Sequence, residues 1–271
     1  MRIACAWAAI AALGLVGAAK PKPDWRPLDL QNTLVIDTSK GRIVVEMLPV
    51  LAPKAVERVK RLAAEGVYDS LLFHRVIEGF VDQTGNPNNR DGGTSAYPDL
   101  PAEFSARLPA DAPLAKVVDR SDGFEGFIGS VPVGGVSQKV QGLGGDHRAR
   151  AWGVYCDGVV GMGRQAGIDT ANSEIFVMRS PARRLDHDYA VWGRVVQGLD
   201  VVRAINIGEP PVNPDRMVKV RVAADLPVRE RPRVELESPL SEAFRMKAAR
   251  RKAQLGARFS ICDLTIAVRH F

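Results

Sequence analysis

Residues 73–83 read FHRVIEGFVDQ, and this stretch carries the strongest information about both fold and function. Side chains alternate along an extended strand, so Phe73, Arg75 and Ile77 are expected to share one face. A bend at Gly79 would then turn the later residues of the stretch onto another face. An arginine keeps its charge and is a poor general acid or base, but it donates hydrogen bonds well to a neutral peptide group. The stretch therefore indicates a strand that presents a permanent donor to a peptide ligand.

The same stretch continues to Pro87 and resembles the signature of the cyclophilin-type peptidyl-prolyl isomerases, FHRxIxGFxxQxGDP. A second match comprises residues 173–176 (SEIF), which resemble the family's SQFF, and residues 185–196, which resemble its WLD…VFGKVV. A third match is GEPP at residues 208–211, before a final alternating strand. Because these matches occur in the family's order, the chain is identified as a member of that family.

The resemblance implies a mainly β fold, a closed eight-stranded antiparallel barrel capped by two helices. Patterns along the chain agree with this fold. Apolar runs on either side of residues 38–41 predict a β-hairpin, and Pro53 at the start of an apolar stripe predicts the first helix. Apolar spacing over residues 199–205 predicts the second helix, and alternating valines over residues 218–222 predict a half-buried closing strand.

Composition and sequence patterns divide the chain into four segments. The predicted segments are a signal peptide (1–19), an N-terminal linker (20–31), an isomerase domain (32–223) and a C-terminal extension (224–271). The signal peptide is predicted because Arg2 precedes a short, Ala-rich apolar run that ends in small residues. A retained membrane anchor is the alternative, although the apolar run is short for a membrane span.

Two parts of the chain exceed a minimal member of the family. Residues 105–155 are predicted to be a long insertion that contains a hairpin over residues 126–136. In the extension, residues 224–240 read as a linker, and Ser241 is predicted to cap a basic helix that ends near Leu255. Residues 259–268 look strand-like. The basic helix is interpreted as a solvated face, with weak contact to an anionic envelope surface as the alternative.

Charge and cysteine content bear on location and partners. The 271 residues carry a formal net charge of +6, which permits nucleic-acid, membrane or acidic partners. The predicted signal peptide argues against nucleic acid and predicts a periplasmic protein. Cys156 and Cys262 would remain after its removal, and an oxidising compartment permits a disulfide between them. Two separate buried thiols are the interpretation favoured from sequence.

The predicted chemistry is rotation about an X–Pro bond. Amide resonance opposes this rotation with a barrier of about 18–20 kcal/mol. In the twisted amide the proline nitrogen regains a lone pair, so a fixed N–H donor aimed at that nitrogen lowers the barrier. Arg75 is the candidate donor and matches the family's catalytic arginine. The reaction moves no electrons or groups, so no cofactor is expected, and the four histidines show no metal-ligand spacing in the sequence.

The remaining candidate site residues are expected to bind the substrate. Phe80 and Phe176 are predicted aromatic walls, Leu185 an aliphatic wall and Val81 the floor of a proline pocket. The further predicted substrate-binding residues are Gln83, Gln165, Glu174 and Tyr189. Taken singly, the apolar ones would more readily be interpreted as core residues, but their places in family motifs reverse that interpretation.

Departures from the family pattern keep a rival function open. Val81 replaces a longer side chain, usually Met, and Glu174 replaces a Gln, adding a carboxylate near Arg75. Arg184 stands where many members have Trp, so weak cyclosporin binding is expected. The predicted function is a peptidyl-prolyl cis-trans isomerase that acts on proline-containing unfolded or flexible polypeptides during folding in the cell envelope. The alternative is a catalytically weak proline-peptide binding or chaperone module.

Overall fold

The computed structural model describes residues 23–136 and 149–271 of the chain. The predicted signal peptide, residues 1–19, and the glycine cluster at residues 142–145 lie outside the described residues. Within them, antiparallel strands form three sheets of eight, five and three strands. The chain is therefore mainly β, as predicted.

The eight-stranded sheet is the body of the molecule. Its strands, in spatial order, are β14 (Met217–Val222), β2 (Thr33–Thr38), β3 (Gly41–Met47), β13 (Val191–Gln197), β11 (Val159–Arg164), β12 (Ala171–Met178), β5 (Val81–Thr84) and β4 (Arg75–Ile77). The predicted hairpin is confirmed, because β2 and β3 pair directly from Thr38 opposite Gly41 to Thr33 opposite Glu46.

The edges of this sheet, β14 and β4, approach each other without forming a continuous ladder in the described part of the chain. The segment before β4 meets the start of β14 through three backbone hydrogen bonds. They run from Ser70 N to Met217 O at 2.7 Å, from Phe73 N to Asp215 O at 2.9 Å and from Met217 N to Leu71 O at 2.8 Å. An isolated bridge also joins Val76 to Gly208. The sheet is thus strongly curled, and the predicted complete closure is not confirmed.

The two predicted capping helices are confirmed as α1 (Pro53–Ala64) and α2 (Leu199–Ala204). Pro53 occupies the first turn of α1, where its missing N–H leaves no hydrogen bond unmade. One face of α1 is buried against the curled sheet, as its apolar stripe predicts, and Val202 of α2 is fully buried. Both helices therefore cover the core that the sheet encloses.

The closing strand β14 departs from the predicted alternation. Val220 and Val222 are buried, but Val218 is half exposed, with 50% of its surface accessible. The cause is a register shift between Met217 and Lys219, which breaks the two-residue repeat. Met217 takes the buried position that Val218 was predicted to hold.

The described residues of the insertion, 105–136 and 149–155, form a five-stranded sheet. Its strands, in spatial order, are β6 (Ala106–Arg107), β10 (Arg150–Gly153), β9 (Val131–Val136), β8 (Gly123–Ile128) and β7 (Leu114–Asp119). The predicted hairpin is confirmed as β8–β9, which pair from Ile128 opposite Val131 to Gly123 opposite Val136. Phe127 and Val133 of this hairpin belong to the same apolar cluster as Phe176 of β12. The insertion consequently packs beside the predicted site.

The third sheet corrects the prediction that residues 20–31 and 224–240 are linkers. They contribute β1 (Trp25–Pro27) and β15 (Val234–Glu237), and β15 pairs with β1 on one side and with β16 (Val268–His270) on the other. Short strands with prolines nearby give a weak local signal, and long-range pairing is what forms them. Of the predicted strand-like run at 259–268, only its last residue enters a strand.

The basic helix is confirmed as α3 (Glu242–Leu255), and the Ser241 hydroxyl caps it by accepting a hydrogen bond from Phe244 N at 3.1 Å. Phe244 is buried and meets the Phe127 ring edge-on, with centroids 5.4 Å apart. Lys247 pairs with Glu237 at 2.6 Å, and Lys252 donates to the Val117 carbonyl at 3.0 Å. In the described residues, every helix is too short or too polar to cross a bilayer.

Cys156 and Cys262 form a disulfide, so the interpretation of two separate thiols was wrong. Their Cα atoms lie 5.1 Å apart although 106 positions separate them in the sequence. Only the tertiary structure brings them together, since the extension folds back against the insertion. The bridge ties the segment after α3 to the residues just before β11.

Candidate active site

A cavity of about 240 Å³ opens on the face of the sheet beside β4, β5 and β12. The residues that line it are Arg75, Phe80, Val81, Gln83, Gly163, Arg164, Glu174, Phe176, Leu185 and Tyr189. Every predicted site residue except Gln165 is among them, and Gly163 and Arg164 were not predicted. The sequence motifs, widely separated along the chain, therefore converge on one hollow.

Strand register aligns the central residues of the cavity. Arg75 of β4 lies directly opposite Gln83 of β5, and Gln83 lies opposite Phe176 of β12. Phe176 in turn lies opposite Gly161 of β11. Directly opposed residues project to the same face of a sheet, so the cation, the amide and the aromatic ring form one row. The turn between β4 and β5 is made by Gly79, whose positive φ of 66° suits glycine.

The prediction that Phe73, Arg75 and Ile77 share one face is wrong at Phe73. Phe73 has 2% of its surface exposed and belongs to the core enclosed by the large sheet, together with Val76. Regular strand structure begins only at Arg75, so the alternation does not extend back to Phe73. Arg75 can therefore lie at the cavity while its apolar neighbours anchor the strand.

Two glycines of β11 make room for side chains that line or support the cavity. A Cβ atom on Gly161 would lie 2.5 Å from both the Phe176 ring and the Tyr155 hydroxyl. A Cβ atom on Gly163 would lie 2.2 Å from Glu174 Oε1. These separations are shorter than real Cβ contacts, so a larger residue at either position would have to displace the neighbouring side chains. Gly161 and Gly163 thus allow β11 to pack closely against Tyr155 and the side chains of β12.

Arg75 is held by two partners. Its Nε donates to Glu209 Oε2 at 2.7 Å, and its Nη1 donates to Gln83 Oε1. Its side chain remains 29% exposed, so the guanidinium still faces the cavity opening. Glu209 was not predicted as a site residue, although it lies in the GEPP motif. Glu209 and Gln83 together fix the direction in which the remaining N–H groups point.

Glu174 acts on Arg75 through Gln83 rather than by direct contact. Gln83 Nε2 donates to Glu174 Oε1 at 2.8 Å, while Asn86 Nδ2 donates to Glu174 Oε2. Burial raises the pKa of Glu174 above its ordinary value, and the two amide hydrogen bonds oppose that rise. The carboxylate therefore orients the Gln83 amide, and this amide presents its oxygen to Arg75.

The aromatic wall is built from Phe176 and its neighbours. The Phe176 ring stacks on Tyr155 with centroids 5.6 Å apart and meets Tyr189 edge-on at 5.7 Å. Tyr155 is completely buried, and burial raises the pKa of its hydroxyl well above the ordinary value. Sequence reasoning missed Tyr155, because no local pattern distinguishes it from a core residue. Its stacking fixes the plane against which a ligand ring would lie.

Two unpredicted arginine contacts shape the rim. The Arg164 guanidinium lies 4.6 Å from the centroid of the Tyr189 ring and pairs with Asp188 at 2.5 Å. The Arg184 guanidinium lies 4.5 Å from the centroid of the Phe80 ring. These cation–π contacts hold two cavity-lining rings in place.

Gln165 lies outside the cavity lining. The Gly92 backbone lies beside its amide, because a Cβ atom on Gly92 would be 3.4 Å from Gln165 Nε2. A peptide could reach Gln165 only if it extended past the cavity rim. The predicted contact of Gln165 with the substrate backbone therefore stays a prediction.

Comparison with known proteins agrees with this geometry. Residues 33–222 match the family model described as cyclophilin type peptidyl-prolyl cis-trans isomerase/CLD. The chain is 32% identical over 241 residues to a Brucella suis protein named as a probable peptidyl-prolyl cis-trans isomerase, covering 83% of this chain and 97% of the relative. It is 28% identical to the Schizosaccharomyces pombe peptidyl-prolyl cis-trans isomerase ppi1 over 190 residues, covering 68% and 94%.

Among solved structures, the chain is similar to the cyclophilin AquaCyp293 from Hirschia baltica. The TM-score is 0.82 at 29% sequence identity, and the match covers 91% of this chain and 93% of that one. This coverage extends beyond the residues of the family match, so the likeness includes part of the added sheets as well as the body. Family match, curated relatives and structure agree: the chain belongs to the cyclophilin-type peptidyl-prolyl cis-trans isomerases.

Proposed function

We propose that Arg75 carries the isomerase activity of this chain by stabilising the twisted X–Pro amide. The observation that carries this proposal is the row formed by Arg75, Gln83 and Phe176 along one face of the sheet. A proline ring seated against Phe176 would bring its nitrogen towards the guanidinium. Arginine is a permanent cation in proteins, so a donor of this type needs no proton transfer to act.

The fixed orientation of Arg75 is central to this role. A hydrogen-bond donor lowers the barrier only if it already points to where the lone pair develops, since reorienting it would cost part of the gain. Glu209 and Gln83 provide that orientation at two edges of the guanidinium. Glu209 is 53% exposed, so its ion pair is weak, and the less exposed Gln83 hydrogen bond is the firmer of the two contacts that orient the guanidinium.

The substrates in this proposal are proline-containing unfolded or flexible polypeptides. The rings of Phe80, Phe176 and Tyr189 offer an apolar hollow suited to a proline side chain. Gln83 in the cavity lining and Gln165 outside it can each hydrogen-bond the backbone of a bound peptide. Such contacts involve only the peptide backbone and the proline ring, so peptides of many sequences can bind.

Export to the periplasm is part of the proposal. It is supported by the signal-like residues 1–19 and by the Cys156–Cys262 disulfide, which is suited to an oxidising compartment. Cell fractionation and N-terminal sequencing of the mature protein test this location. Periplasmic protein that begins near Lys20 is expected, and a cytoplasmic protein that retains its N-terminal residues would refute export.

The catalytic assignment is tested by a protease-coupled proline-peptide assay with Arg75→Ala. We expect kcat/KM to fall on the order of 100-fold, as when a fixed transition-state donor is removed elsewhere. Arg229→Ala is the matched control, because Arg229 is 86% exposed and is not among the residues that line the cavity. Wild-type rates in the Arg75 variant, with the fold verified by circular dichroism, would disprove the assignment.

The rival function is a catalytically weak proline-peptide binding or chaperone module. The pairing of Arg75 with Glu209 favours it, because a carboxylate on the guanidinium could hold that group away from substrate. In the same assay the rival predicts near-background rates for the wild type, with proline-peptide binding retained. Glu209→Gln separates the two interpretations further. Under the rival, this variant gains activity severalfold, whereas orientation by Glu209 predicts no gain.

A further inference from the structure

Three side chains from distant parts of the sequence meet behind Gln83. His74 Nε2 lies 3.3 Å from Asp91 Oδ1 and 3.8 Å from Glu174 Oε2. One ligand atom from each residue lies within 4.8 Å of the others. The His74 and Glu174 side chains are buried, with 3% and 9% exposed, whereas Asp91 is 70% exposed on the loop after β5. The cluster therefore has a rigid inner side and one accessible ligand.

His74 is the reason to interpret this cluster as more than an ion pair. Both of its ring nitrogens are fully buried and lack a hydrogen-bond partner within the described ranges 23–136 and 149–271. The approach of Asp91 is close, but it is not aligned as a hydrogen bond. A buried polar group without a partner costs free energy, and such groups are rare in native structures. A cation bound to the lone pair of Nε2 would remove that cost for one of the two nitrogens.

We propose that His74, Asp91 and Glu174 form a binding site for a divalent transition-metal ion, with Zn²⁺ as the best-fitting probe. Imidazole nitrogen and carboxylate oxygen are ordinary zinc ligands at about 2.0–2.2 Å, and ligands around a tetrahedral ion are then roughly 3.4 Å apart. The two distances from His74 Nε2 are already close to that spacing. The carboxylates need only a small movement, which exposed Asp91 can make.

Glu174 can serve this site while it keeps its other contacts. Its Oε1 accepts from Gln83, whereas Oε2 accepts from Asn86 and faces His74. A carboxylate oxygen has more than one lone-pair direction, so Oε2 can also bind a cation. The family's Gln at this position would bring no negative charge. The substitution that distinguishes this chain from the family pattern thus supplies the second anionic ligand.

The site would be coupled to the active site through two hydrogen bonds. A metal ion on Glu174 would fix the carboxylate, Gln83 donates to that carboxylate, and Arg75 donates to Gln83. The ion would also tie the loop that carries Asp91 to β12. The three ligands are 17 or more positions apart in sequence, which explains why no ligand spacing was visible there.

Metal binding is tested directly on the untagged, chelator-treated full chain, so the result does not depend on isomerase activity. Isothermal titration with Zn²⁺ is expected to give one ion per chain with a Kd in the micromolar range or tighter. Co²⁺ is expected to give the visible absorption of a four- or five-coordinate site. Asp91→Asn and Glu174→Gln should each weaken Zn²⁺ binding on the order of ten-fold or more.

The control is Asp111→Asn, which removes one exposed carboxylate from the insertion and should leave the affinity unchanged. Asp91 is exposed and Glu174→Gln installs the family's residue, so both variants are expected to fold, as circular dichroism would verify. The proposal is overturned if the wild type shows no saturable binding up to millimolar Zn²⁺. It is overturned equally if Asp91→Asn and Glu174→Gln bind the ion as tightly as the wild type.

Discussion

Removal of the Cys156–Cys262 bridge should destabilise the chain strongly without undocking the extension. Cys262→Ser is the suitable change, because Cys262 is only partly buried whereas Cys156 is fully buried and can remain as a thiol. The bridge spans 106 positions. Closing a loop of about 100 residues restricts the unfolded chain by about 4.7 kcal/mol in the chain-entropy model. We expect a loss of about 4 kcal/mol in the free energy of unfolding.

The native contacts of the extension should survive this change. Ile261 and Leu264 are buried on either side of Cys262, Phe244 packs edge-on against Phe127, and β15 pairs with β1. The loss should therefore appear in the unfolded state and not as a new native structure. Circular dichroism of the variant in buffer should match that of the wild type.

Urea unfolding followed by tryptophan fluorescence measures the difference. Oxidised wild type is compared with Cys262→Ser, and both are repeated with a reductant. Reduction should bring the wild type to the level of the variant and leave the variant unchanged. A difference below about 1 kcal/mol between oxidised wild type and variant would refute the reasoning. A wild type that keeps two free thiols in air would refute it as well.

Three further changes test the packing, the buried charge and the rim. Gly161→Ala should push the Phe176 ring into the cavity, lowering stability by about 1–3 kcal/mol and kcat/KM with it, measured by thermal unfolding and the isomerase assay. Arg179→Ala should cost about 3–5 kcal/mol near pH 8, because it leaves the buried Asp82 carboxylate 2.9 Å away unpaired. Burial raises the pKa of Asp82 to about 7, so the loss measured by urea unfolding should shrink towards pH 5 as the carboxyl takes up a proton. Arg184→Trp should tighten cyclosporin binding on the order of ten-fold, because an indole would replace the guanidinium over Phe80.

Each of these predictions has an outcome that contradicts it. An unchanged isomerase rate in Gly161→Ala would show that the ring position does not govern catalysis. A pH-independent loss in Arg179→Ala would show that Asp82 does not titrate in the folded chain between pH 5 and 8. Because its pKa is raised, the folded carboxyl holds its proton at higher pH than the unfolded one. Its contribution to stability therefore falls as the pH rises from the unfolded value to about 7, and it levels off above that. Equal cyclosporin affinity in wild type and Arg184→Trp would show that the residue at position 184 does not determine cyclosporin binding.

The sequence predicted the elements whose signals are local. The β2–β3 hairpin, α1 with Pro53 in its first turn and α3 with its Ser241 cap all follow from turn residues, caps and periodicity within a few positions. Family motifs likewise predicted most of the cavity lining, because those motifs fix residue identity and order. Where a register shift interrupts the repeat, as at Val218, the local pattern failed.

Contacts between distant segments were decided only by the tertiary structure. Glu209 reaches Arg75 across 134 positions, and Tyr155 supports Phe176 from the far end of the insertion. Segments predicted as linkers became β1 and β15 because each completes the other's hydrogen bonds.

The amino-acid order by itself therefore determined the family, the strands and helices with strong periodicity, and the cation and rings needed for X–Pro rotation. The tertiary structure determined how the added segments pair, which cysteines bond, which carboxylates face Arg75 and how His74 comes to meet two acids. The physical reason is that periodicity and capping act over a few residues. The closing of long loops, in contrast, depends on the sum of many contacts, which no short stretch of sequence contains.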